Sequence, residues 1–340
     1  MRTNIRYGKL ATAVGIALAA IATPLQGATT WKANIWGPAR FSTQPLEAYA
    51  KEVAAKTGGQ LKIDFTYNQS KPADGAELLK SGAAEGAYFC SSYFGEKMPL
   101  VTVLDLPMFA PESIPALGRV ELALADHPVI QAELRKWNAK MLIPVPLPQY
   151  QLMGTRRIAK VDDFKGAKVR ISPEMGKIFE EYGASTYLTS GPDTLAGLKS
   201  GALDVAALPY PSGFATFKVH DGAKYVTEKI SLGTQLCYFA VGHKAWEALP
   251  AGTQKVMLGL RQPTVASYEG IYARDDAANI ESFRRQGLEF VQFSAADRAR
   301  LVAKAIKYWQ AWIDEREKQG LKAREVFEFA QEQIREFTRK

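Results

Sequence analysis

Short apolar runs of two different periods alternate along most of this chain, and that alternation restricts its fold more than any other feature. Trp31-Lys-Ala-Asn-Ile-Trp36, Leu61-Lys-Ile-Asp-Phe65 and Ala167-Lys-Val-Arg-Ile171 carry apolar side chains at every second position, the spacing of a half-buried strand. Residues 45–56, with Leu46, Tyr49, Ala50 and Val53, show the spacing of one helix face. Residues 74–80, 175–182 and 192–199 also read as helices, and Gly58, Gly82, Gly183 and Gly201 follow the four segments. Glycine accepts the left-handed conformation that ends a helix. Residues 87–90 and 203–208 are short apolar strands, and residues 141–147 are apolar and rich in proline. Strands alternating with helices predict an α/β fold with a parallel sheet core. The last third differs. Leu249-Pro-Ala-Gly-Thr253 introduces a helix over residues 254–286, expected to kink at Pro263, which cannot donate the helical hydrogen bond. Ser294, with Asp297 three residues on, is an N-cap signature, and two helices divided at Gly320 follow.

The first 28 residues read as a removable leader. Arg2, Arg6 and Lys9 precede an apolar run over residues 11–22, then Pro24 and the small residues Gly27 and Ala28. A charged start, a short apolar stretch and a small-residue exit describe a secretory signal peptide, cut after Gly27 or Ala28. The run is too short to span a bilayer, which needs about 20 residues. The chain has 340 residues, which suggests two domains at roughly 150 residues each. Without the leader, 40 basic residues face 35 acidic ones. A charge of +5 with no basic tract or RNA-binding motif argues against nucleic acid as a partner. Two cysteines, Cys90 and Cys237, exclude a disulfide scaffold or a zinc ribbon. In an oxidising compartment they either bridge or remain small buried thiols.

Several stretches then match one family in its own order. They are Thr57-Gly-Gly-Gln-Leu-Lys-Ile63, Asp105-Leu-Pro-Met-Phe109, Asp163-Phe-Lys-Gly-Ala-Lys-Val-Arg170, Asp193-Thr-Leu-Ala-Gly-Leu-Lys-Ser-Gly-Ala-Leu-Asp204 and Trp246-Glu-Ala-Leu-Pro250. Over residues 30–290 the chain resembles the solute-binding proteins of tripartite ATP-independent periplasmic (TRAP) transporters. The resemblance implies a two-lobe α/β periplasmic binding fold with a hinge and a long helix spanning both lobes. On this reading residues 1–28 are the signal peptide. Lobe one is 29–148 with a return at 233–275, lobe two is 149–232 with 276–293, and 294–340 are helices bracing both. The implied partners are a small organic acid and the membrane permease subunits, with no cofactor or metal, and the protein is expected to be a periplasmic monomer that catalyses nothing.

Arg170 falls at the family's ligand-binding arginine. A guanidinium presents donors in a rigid fork that fits a carboxylate and stays charged when buried. Arg156 and Arg157 lie too close to Arg170 to take the place of the further upstream arginine of sialic-acid-binding members; Gln149, Tyr150 and Gln151 occupy that region. Leu208 stands where many members carry an amide or acid, which disfavours a dicarboxylate or polyhydroxylated guest. Aromatic residues gather instead: Trp36, Phe89, Tyr93, Tyr150, Tyr210 and Phe214 are expected to wall the cleft, with Phe217 assigned to the core. Gln69, Ser91, Gln149 and Pro209 complete the candidate site. Aromatic walls favour flat apolar guests, so the expected ligand is an aromatic or otherwise apolar monocarboxylate, with a short keto or hydroxy acid or a dicarboxylate as the alternative. A hydrolase is disfavoured, because His127, His220 and His243 lie far apart, outside any H-E-x-x-H motif, and Ser212 lacks the G-x-S-x-G elbow.

Overall fold

The computed structural model describes residues 28–339, so the leader and its cleavage point lie outside the described residues. The first lobe runs β1 (Thr29–Ile35), α1 (Gln44–Lys56), β2 (Leu61–Tyr67), α2 (Gly75–Ser81), β3 (Gly86–Cys90), α3 (Ile114–Asp126), α4 (Pro128–Arg135) and β4 (Ala139–Val145). The second runs β5 (Gln151–Gly154), β6 (Lys168–Arg170), α5 (Pro173–Glu180), β7 (Ser185–Tyr187), α6 (Thr194–Ser200), β8 (Val205–Leu208) and β9 (Tyr225–Thr227). The chain returns through β10 (Cys237–Gly242), α7 (His243–Glu247), α8 (Ala251–Gly259) and α9 (Arg261–Arg285). It then adds β11 (Glu289–Val291) to the second sheet and ends in α10 (Ala295–Lys318) and α11 (Ala323–Thr338). Gly82 and Gly201 cap α2 and α6 at φ of 75° and 72°, a conformation strained for any residue with a Cβ.

The two sheets have the orders β2-β1-β3-β10-β4 and β11-β9-β5-β8-β6-β7. Each is mixed. In the first, β1 pairs in parallel with β2 and β3, but β10 is antiparallel to both β3 and β4. In the second, β5 is antiparallel to β8 and β9 within an otherwise parallel arrangement. The strand that returns from the other lobe is inserted between β3 and β4 of the first sheet. Its register sets Cys237 opposite Cys90, and a disulfide joins them.

Two long helices tie the lobes. α9 buries Val265, Tyr268 and Tyr272 in a first-lobe core and Phe283 in the second-lobe core. α10 does the reverse, with Leu301 and Ala305 in the second lobe and Trp312 and Ile313 in the first. The single kinked helix expected over 254–286 is two helices. The break falls at Leu260, three residues before Pro263, because the proline lacks the N–H that Gly259 O would accept and its ring crowds that carbonyl. Ser294 does cap α10: its hydroxyl accepts the Asp297 N–H at 3.0 Å. Beside the cleft, Arg316 of α10 donates to Glu174 of α5 at 2.6 Å, to Pro99 O at 3.2 Å, and Glu174 also accepts from Thr102 at 3.2 Å. No described helix is long and apolar enough to cross a membrane.

Candidate ligand-binding cleft

Both sheets direct their strand ends toward one interlobe cavity, where α/β proteins place ligands. The cavity holds about 30 Å³, room for about two water molecules at roughly 10–15 Å³ each. Arg170, the last residue of β6, enters from the second lobe and is 3% exposed. Its Nε and Nη2 donate to Thr189 O at 3.2 and 2.9 Å, and Nη1 donates to Ala207 O at 3.1 Å. Nη2 also reaches the hydroxyl of Tyr93 in the first lobe at 3.2 Å. Every partner of this cation is neutral, so the fork is aimed and restrained without its charge being cancelled. A carboxylate arriving here meets a positioned cation in a site of low dielectric, where a charge-assisted hydrogen bond is strong.

The walls are apolar and aromatic. Trp36 and Tyr93 meet edge to face with centroids 5.7 Å apart. Tyr150, Leu147, Leu208, Pro209 and Phe217 face the same space, and the Cys90–Cys237 disulfide forms part of its floor. Burial pushes the Tyr150 hydroxyl well above its ordinary range, so it stays protonated. Gly191 lets Phe217 approach: a Cβ there would lie 2.2 Å from the Phe217 ring. Tyr93 also lines a larger open groove of about 780 Å³ with Lys97, Glu174 and Tyr308, so it stands between the inner cavity and the outside.

Of the sequence-predicted site, Arg170, Trp36, Tyr93, Tyr150 and Pro209 line the cavity. Six candidates do not. Phe89 stacks on Tyr238 at 5.2 Å within a first-lobe core, and Phe214 is fully buried in the second-lobe core. On β3 the residues that face the cavity are Tyr88 and Cys90, so Phe89 between them points to the opposite face. Tyr210 turns away to donate to Thr227 O at 2.5 Å. Ser91 is buried against Asp105 at 2.5 Å. Gln69 is exposed in a bend after β2. Gln149 serves the chain crossings instead: it donates to Pro111 O at 3.0 Å and accepts the Gly233 N–H at 2.9 Å, holding the two crossings side by side. Phe217, assigned to the core from sequence, faces the cavity.

The sequence reading missed Arg40. This guanidinium is 6% exposed and lies 4.3 and 4.9 Å from the ring centres of Trp36 and Tyr88. Its Nη1 donates to Trp36 O and Pro38 O, both at 2.8 Å. Its place just past the end of β1 was the available signal. The three histidines lie elsewhere: His220 beside Asp221, His243 beside Glu247, and His127 against Phe329. Arg157 pairs with Glu289 at 2.7 Å on the surface, and Arg156 donates to Lys165 O at 2.8 Å.

A two-lobe cleft whose buried cation has only neutral partners describes a binding site, and known proteins agree. A solute-binding protein of Chromohalobacter salexigens is 27% identical over 269 residues, which are 73% of this chain and 76% of the relative. A TRAP solute-binding protein from Rhodoferax ferrireducens, solved with copurified benzoate, superposes with a TM-score of 0.82 at 18% identity, over 92% of this chain and 99% of that one. A Bordetella pertussis extracytoplasmic solute receptor binding pyroglutamic acid gives 0.78 at 19% identity, over 91% of this chain and 100% of the receptor. At those identities the two structures speak for the fold alone. The profile of bacterial extracellular solute-binding protein family 7, DctP, matches residues 33–315, and the chain belongs to that family.

Proposed function

We propose that this protein captures an organic acid outside the cytoplasm, closes its lobes on it and delivers it to a TRAP permease. The guest is a monocarboxylate with a flat, apolar body. The observation that carries this reading is Arg170: a buried guanidinium whose partners are three carbonyl bonds and a tyrosine hydroxyl, facing aromatic walls. Its carboxylate partner comes with the guest, and Trp36, Tyr93, Tyr150 and Phe217 cover the guest's faces by area burial and offset stacking. Leu208 lines the cavity and offers no polar contact there. A wall disulfide and membership of an extracellular family support residence outside the cytoplasm. One chain supplies both walls, so a monomer suffices. No bond is made or broken in this cycle.

The second reading is a compact aliphatic keto or hydroxy acid, which a cavity of about 30 Å³ has to open less to admit than it does for a benzoate-sized guest. Titration of protein stripped of copurified ligand decides between them. Benzoate and phenyl-substituted acids are expected to bind in the micromolar range or tighter. Binding of pyruvate or succinate at that level, with every aromatic acid failing, refutes the aromatic reading.

A further inference from the structure

Arg40 is half used. Two carbonyls occupy its Nη1, while its Nη2 is buried and has no hydrogen-bond partner. Trp36 Nε1 is in the same position, buried and unpartnered. Both residues line the interlobe cavity, on the wall that belongs to the first lobe. Buried polar groups left unpaired are uncommon and costly. Both atoms are donors only, since an indole and a guanidinium have no acceptor. Aromatic faces at 4.3 and 4.9 Å stabilise the Arg40 cation but leave that N–H unanswered.

We propose that Arg40, with Trp36, is a second recognition point, and that it reads an acceptor oxygen on the end of the guest remote from Arg170. This rests on the reading of the cleft as an organic-acid site. It adds that the preferred acid carries a second oxygen, a ring hydroxyl or a carbonyl. The two arginines come from opposite lobes, so a guest with an oxygen at each end is held by both walls at once. A guest lacking the second oxygen leaves Nη2 and Nε1 buried and empty-handed. Rejection of such an analogue is strong because the site's own donors bear the penalty. The test separates this from a role confined to the turn, where Arg40 ties Trp36 O and Pro38 O.

The test compares acids that differ by one oxygen group: benzoate with 3-hydroxybenzoate and isophthalate, cyclopentanecarboxylate with pyroglutamate, and butyrate with succinate. Calorimetry on wild type is expected to show the oxygenated member of at least one pair binding ten- to a hundredfold tighter, the range of a hydrogen bond to a charged group. Arg40→Met should reduce that preference to threefold or less. Arg40→Lys keeps a cation for the two carbonyls without the fork, and should lose the preference as well; it carries the test if the methionine variant does not fold. A preference that survives both substitutions, or its absence from every pair in wild type, overturns the proposal. Succinate preferred over butyrate, with the aromatics failing, leaves Arg40's role standing and removes the aromatic reading. If no acid binds, both fall.

Discussion

Removing the Cys90–Cys237 disulfide should cost this protein several kcal/mol, nearly all of it through the unfolded chain. The bond joins two strands that already pair in the centre of a sheet, so it adds no contact the native state would otherwise lack. What it constrains is a loop of 147 residues, which holds the whole of β5–β9. Loop-closure entropy for that length amounts to about 5 kcal/mol at 25 °C, and residual structure in the unfolded chain makes this a ceiling. Both half-cystines are at most 2% exposed, so the bond must be reduced in denaturant before refolding. The assay is urea unfolding of oxidised and reduced protein, with Cys90→Ala/Cys237→Ala as the permanent form of the reduced state. The midpoint should fall, and the dependence on urea should steepen as the unfolded chain expands. A difference below about 1 kcal/mol, or an unchanged slope, would refute the loop argument.

Arg170→Ala should fold and lose about 2–5 kcal/mol of ligand affinity by calorimetry, and Arg170→Lys should recover only part, because a point charge lacks the fork; equal affinity in the alanine variant would sink the anchor. Gly191→Ala sets a Cβ 2.2 Å from the Phe217 ring and should drive that ring into the cavity, weakening binding with little change in the thermal midpoint. The Glu133 carboxyl, buried against the Leu100 and Val101 N–H groups, is pushed up to about 7 by burial. Between about pH 4.5 and 7 the unfolded chain has released this proton while the folded one keeps it, so stability should fall as pH rises through that window, on the order of 2–3 kcal/mol. Glu133→Gln should flatten this part of the profile of unfolding free energy against pH; an unchanged profile counts against the assignment. Small-angle scattering should give a smaller radius of gyration with saturating ligand, and identical curves with binding confirmed would argue against lobe closure.

Periodicity and punctuation were legible where one face of an element meets solvent. β1 and β2 alternate, α1 shows its buried stripe, and Gly82 and Gly201 end their helices as expected. Legibility failed where both faces are covered. All five residues of β3 are buried, so nothing in Gly-Ala-Tyr-Phe-Cys tells which side meets the cavity, and Phe89 was assigned to the wrong face. The same holds for the six buried residues of β10, whose antiparallel insertion between β3 and β4 depends on a chain return that local sequence does not encode. Phe214 sits in a π-helical turn after β8 and Phe217 just beyond it, where neither period applies. Arg170 stands out in the sequence through its motif; Arg40 lies in a turn without one, and its burial depends on Trp36 and Tyr88, distant from each other in sequence.

The position of β10 sets a timetable for synthesis. β3 and β4 bond to it and not to each other, so the first sheet stays divided into β2-β1-β3 and a separate β4 until residue 242 is made. Until then the amino-terminal half carries two unpaired strand edges, and the helix that covers its other face, α9, does not yet exist. A growing chain in that condition cannot settle into a stable lobe, however favourable its local propensities. Domains usually fold as they emerge; this one is arranged to fold late. For a protein that works outside the cytoplasm, as proposed above, late closure would keep the polypeptide threadable while it crosses the membrane. The lobes then assemble on the far side, where the Cys90–Cys237 bond can form.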